Sequence, residues 1–202
     1  FVMILIPTIP ALDIPKVYYL GDCVPASSPI GYIGDDPALE VVAVPATAHP
    51  GYFTGDQVSR YLRQYLPRTY QDLISGNMIL LSDVRADTLG TKWLNWFSKS
   101  ITEDGISLMM VGGILSFGGY SGSPSWDITS IGPLLPVELI DGMTISVDWK
   151  PDVKSPDDPL MTALPWGTCP IFHGYNKVTL KDGAKLLAQT DDGKRNPFMA
   201  IL

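Results

Sequence analysis

The chain has 202 residues, 46% hydrophobic and 17% charged, which suits one domain with a sizeable core and argues against a disordered chain. Its net charge of −7, from 21 acidic against 14 basic residues, and the scatter of those Lys and Arg residues argue against nucleic acid as a partner. Two cysteines, Cys23 and Cys169, lie far apart without metal-ligand spacing; they speak against a disulfide framework or a metal site and suggest free thiols in a reducing compartment.

The opening FVMILIP is apolar but far shorter than the roughly 20 residues that span a bilayer, and it lacks a basic leader. It reads as a strand or edge extension, and no membrane association is expected. Lys16 to Leu20 and Glu40 to Val44 read as buried strands, and the Pro-, Gly- and Ser-rich interval from Gly21 to Leu39 contains no convincing helix. From Asp56 to Leu66, Val58, Tyr61, Leu62 and Tyr65 fall at helical spacing, with Thr54 or Asp56 as N-cap. Met78 to Leu81 is a third strand. Thr91 to Ile101 is a second amphipathic helix, with Trp93, Leu94, Trp96 and Phe97 on its apolar stripe, and Ser107 to Val111 is a fourth strand. This alternation predicts an α/β fold with a mainly parallel sheet and helices on both faces. From Tyr120 to Pro170 the chain is rich in Gly and Pro and reads as long loops, anchored by Trp126, Trp149 and Trp166. NKVTL, AKLLAQT and FMAIL, separated by KDG and DDGKRN turn signals, predict an antiparallel or mixed edge.

The fourth strand ends in GGILSFGG, and glycines at a strand's carboxyl end let backbone amides approach a ligand. Gly112, Gly113, Gly118 and Gly119 are therefore candidate ligand contacts. Ser116, framed by them, is the candidate nucleophile, although Ile114 stands where the G-x-S-x-G pattern has its first glycine. An imidazole base must come from His49 or His173, and His49 follows a strand end. SDVRADTL leaves the third strand at the same end of the sheet, where Asp83 is the candidate catalytic carboxylate and Ser82, Arg85 and Asp87 are candidate ligand contacts; helix capping is the competing role. The expected crevice is lined by the Ser82 to Thr88 loop, the Gly112 to Gly119 turn and His49.

Ser82 to Leu89, the GISLMMVGGILSFGG run, Trp126 to Thr129, Leu134 to Val137 and Gly174 to Lys177 together resemble, in that order, the glutamine amidotransferase-like family. That family is related to the class I glutamine amidotransferase and trehalose-utilisation-protein-like folds. The resemblance runs from about Val41 to the C-terminus. It implies one flavodoxin-like, three-layer α/β domain over residues 1–202, a cytoplasmic setting and homo-oligomers, with no cofactor. It also implies that the family continues past FMAIL with a further Gly-rich strand and a terminal helix. Class I amidotransferases attack the glutamine amide with a cysteine at a strand-to-helix turn, and the matching residues here, Gly112 to Leu115, carry no nucleophile. Three classes remain open: a binding protein for a small polar ligand at the strands' carboxyl ends, a hydrolase using Ser116, Asp83 and His49, and a catalytically silent assembly module.

Overall fold

A computed structural model of the chain describes residues 14–26, 28–48, 53–119 and 125–202. The FVMILIP segment and His49 lie outside the described residues. Four strands, β1 (Lys16–Gly21), β2 (Glu40–Pro45), β3 (Met78–Ser82) and β4 (Ser107–Val111), form one parallel sheet in the order β2-β1-β3-β4, as the apolar runs predict. The order reverses direction between β1 and β3. Such a switch point opens a crevice at the strands' carboxyl ends.

Local sequence fixes the covering helices. In α2 (Gly55–Tyr65), Thr54 and Gln57 form a reciprocal capping box, while Val58 and Leu62 turn one stripe inward. The short α3 (Tyr70–Ile74) repeats the device with Thr69 and Asp72. In α4 (Thr91–Glu103), Phe97 is fully buried. All three pack into one cluster with Tyr18, Leu20, Val44, Ile79 and Leu81. The other face, carrying Val17, Tyr19 and Leu80, meets Cys23 and the four-residue α1 (Ile30–Ile33), the one helix in the irregular crossover between β1 and β2. Helices thus cover both faces unequally among the described residues.

The C-terminal part departs from the expected loops and mixed edge. The Pro-rich stretch contains β5 (Val137–Trp149), which pairs antiparallel with β7 (Phe172–Leu180) as a two-stranded ribbon. A separate antiparallel sheet joins β6 (Pro151–Val153), β8 (Lys185–Thr190) and β9 (Pro197–Ile201) in the order β6-β8-β9. The expected tail strands exist, but they pair among themselves and with β5 and β6 rather than extending the parallel sheet. A last short helix, α5 (Pro159–Thr162), lies between β6 and β7. Register shifts between Leu139 and Met143 and between Ile145 and Trp149 interrupt the period-two pattern of β5, with Gly142 (φ 83°) and Ser146 (φ 59°) near the breaks. Trp149 holds the ribbon to the tail sheet: it stacks on Phe172 at 4.7 Å and meets Phe198 edge-on at 4.9 Å.

Candidate functional site

Register places Pro45, Gly21, Ser82 and Val111 in one row across the parallel sheet, so the residues that follow emerge along a single edge. Gly21 is needed in that row because a Cβ there would overlap the Ser82 carbonyl. Ser82 itself is buried and interacts with the Tyr19 phenol, so it supports the sheet rather than facing an opening.

Asp83, the next residue, adopts a left-handed backbone with φ 53°, a conformation Asp tolerates better than most side chains. Its carbonyl accepts a 2.6 Å bond from the Thr47 hydroxyl, joining the ends of β2 and β3. Its carboxylate turns into the glycine turn after β4. There Oδ1 accepts a 2.6 Å bond from the Leu115 amide, and the Ser116 amide also donates to the carboxylate. A Cβ on Gly113 would overlap this carboxylate, which explains the glycine. Phe117, with φ 53°, is left-handed as well, and the turn thereby gathers successive N–H groups into a nest suited to an anion. Burial raises the Asp83 carboxyl above its ordinary value, the Asp22 charge adds to this, and the two amide bonds oppose it.

The sequence thus brings Asp83, Gly113 and Ser116 to one place, in a geometry different from that of a nucleophile and base. The Ser116 hydroxyl is buried and donates to the Val111 carbonyl at 2.7 Å, closing the turn from inside. Gly118 and Gly119 are buried; Gly119, at φ 70°, donates its N–H to the Ser116 carbonyl. Gly112 is exposed. Among the described residues no helix follows β4 directly, and the next ordered element is the single 3-10 turn Trp126–Ile128. The buried Trp126 indole donates to the Val84 carbonyl at 2.9 Å, which anchors the Pro- and Gly-rich segment as its setting implies.

Asn176 has no role in the sequence reading, yet it clamps the turn from β7. Its Oδ1 accepts from the Gly113 amide at 3.0 Å, and its Nδ2 donates to the carbonyls of Gly113 at 2.9 Å and Ser116 at 3.3 Å. Asn196 secures it in turn by donating to the Asn176 carbonyl at 3.0 Å. The Gly174 to Lys177 motif contains the clamp, but nothing in its spacing links it to a turn 63 residues upstream.

Arg85 and Asp87 form an exposed two-bond ion pair at 2.8 and 2.9 Å with one another, whereas the Asp83 carboxylate bonds the glycine turn. The paired guanidinium holds the Asp87 carboxyl below its usual range. His173 pairs with Asp148 at 2.7 Å on exposed ribbon surface, an odd number of residues from Asn176 and so on the opposite face of β7. Cys23 packs under the β1 end, where burial and the Asp22 charge push its thiol up to about 12. Both cysteines are unpaired with one another. Among the described residues no group of three or more His, Cys, Asp and Glu is placed to hold a metal ion, and no helix is long and apolar enough to cross a membrane.

Further along the Asp83 loop, and lined by no residue of the glycine turn, lies an open groove of about 430 Å³. Its lining includes Ala86, Asp87, Leu89, Thr91, Leu94 and the largely exposed Ile128. This size suits a small molecule, and the groove mixes apolar and hydrogen-bonding groups.

Two solved structures resemble the chain. One, described as "Cytoplasmic Protein STM3548" from Salmonella typhimurium, matches with a TM-score of 0.70 at 17% identity, covering 92% of this chain and 81% of its own. The other, "Cytoplasmic Protein STM1381" from Salmonella typhimurium LT2, matches with a TM-score of 0.67 at 17% identity, covering 92% and 82%. At that identity they establish the shared fold alone. A search of curated proteins gave no match. The model of the family described as "Putative glutamine amidotransferase" matches residues 48–201, a span that takes in the Asp83 loop, the glycine turn and Asn176. The chain therefore belongs to this glutamine amidotransferase-like family.

Proposed function

We propose that this chain is a non-catalytic member of its family that binds a small polar molecule at the carboxyl edge of the parallel sheet, in the groove beside Asp87 and Thr91. The observation that carries this reading is the Asp83 carboxylate seated on the Leu115 amide while the Ser116 hydroxyl turns inward. Amide hydrolysis by a thiol needs an activated nucleophile and free N–H groups aimed at the developing oxyanion. Here the sequence offers no cysteine in the turn, and its amides are engaged by the protein's own carboxylate. With burial pushing its thiol up to about 12, Cys23 lacks the lowered pKa of an activated nucleophile.

The test has two arms. Glutamine incubated with the protein should release glutamate no faster than buffer, whereas turnover abolished by Cys23→Ala or by thiol alkylation would overturn the reading. In ligand-observed NMR of small polar compounds, Thr91→Trp, which fills the groove, should abolish binding seen with the native chain. Binding unaffected by that substitution would move the ligand elsewhere.

A further inference from the structure

We propose that the amides of the glycine turn are a binding site for a small monocarboxylate, with Asp83 as its built-in occupant, so that formate or acetate takes the same place once the side chain is removed. This rests on the non-catalytic reading above and deepens it by identifying what the turn itself recognises.

Three observations support it. The Leu115 and Ser116 amides already hold a carboxylate, and the missing side chain of Gly113 leaves the space it occupies. Asp83 is not the turn's sole support: Asn176 bonds both polar groups of the Gly113 backbone, and the Ser116 hydroxyl bonds Val111. The cradle is therefore expected to outlast removal of the carboxylate. Asp83 also sits at φ 53°, where glycine is at ease, so Asp83→Gly removes the occupant without adding backbone strain. Repulsion between Asp22 and the occupant selects for single charge, and favours formate over phosphate.

The experiment compares thermal unfolding of the native chain and Asp83→Gly in sodium formate up to on the order of 100 mM, with sodium chloride at matched ionic strength. Asp83→Gly should show a saturable, formate-specific rise of about 3 °C, with under a third of that in the native chain and less for phosphate. In isotope-labelled Asp83→Gly, the Leu115 and Ser116 amide resonances should shift with the same midpoint. Equal responses to formate and chloride, or shifts confined to other amides, overturn the proposal. If Asp83→Gly folds poorly, refolding yield becomes the readout: recovery with formate but not chloride supports the site, and no difference overturns it. Glutamine turnover by the native chain would refute the non-catalytic reading while leaving this result to stand on its own.

Discussion

Asp83 is held between opposing effects: two amides favour its charged form, while burial and the Asp22 carboxylate disfavour it and win. Its native carboxyl thus keeps a proton to higher pH than in the unfolded chain. Its contribution to stability is fully present below about pH 4, the ordinary range for Asp, and is lost as pH rises through the raised native value. Asp87 behaves oppositely. Its depressed carboxyl contributes stability above the ordinary range, which is lost as pH falls through the native value. We expect the stability of the native chain minus that of Asp83→Asn to fall as pH rises from 4 to 7 in urea unfolding; a rise of that signed difference would contradict the assigned balance. For Asn176→Ala, three hydrogen bonds are lost at a site only 8% exposed, and destabilisation of about 2–4 kcal/mol is expected. A loss below about 1 kcal/mol, the worth of one ordinary hydrogen bond, would mean that the clamp does not hold. Asp83 is legible in the sequence because it directly follows the apolar MILLS run. Asn176 is not, since its partner is reached only through the fold.

Among elements, the parallel strands and α2 and α4 are readable because each satisfies its own periodicity and, for α2, its own cap. The 13-residue β5 defeats the same logic because two register shifts break its alternation and prolines flank it. It is held at both ends, by Val137 buried in the main core and by Trp149 against the tail sheet. Trp149 is 3% exposed, contacts Phe172, Tyr175 and Phe198, and donates its indole N–H to the Gly174 carbonyl. Trp149→Ala should cost about 3–5 kcal/mol, as for other fully buried aromatics. It should also release the Trp149 end of the ribbon preferentially, seen as proteolysis between residues 140 and 150 ahead of cleavage in the parallel sheet. Simultaneous cleavage of both regions would show that the ribbon and core unfold as one.

At the scale of the molecule, protection should follow burial. Tyr19, Leu20, Ile79 and Leu81 lie in the two central strands at 0–1% exposure, whereas Ile140 and Ile145 of the ribbon are 43% and 53% exposed. Amides of β1 and β3 should therefore exchange with deuterium only through global opening, and those of β5 several orders of magnitude faster. Equal protection in β1 and β5 would mean that something covers the ribbon in solution.

The seated carboxylate also bears on the order in which changes could bring chemistry to this fold. A cysteine introduced at Leu115 would gain a thiol while the neighbouring amides remained taken by Asp83, so that substitution alone should give no measurable turnover. Asp83→Gly alone would free the amides with nothing to attack. Neither step improves on the parent by itself, so the pair is epistatic. A laboratory lineage selected one substitution at a time would gain nothing at either position, whereas a library varying positions 83 and 115 together would combine a thiol with freed amides in a single round, leaving the activating base still to be supplied.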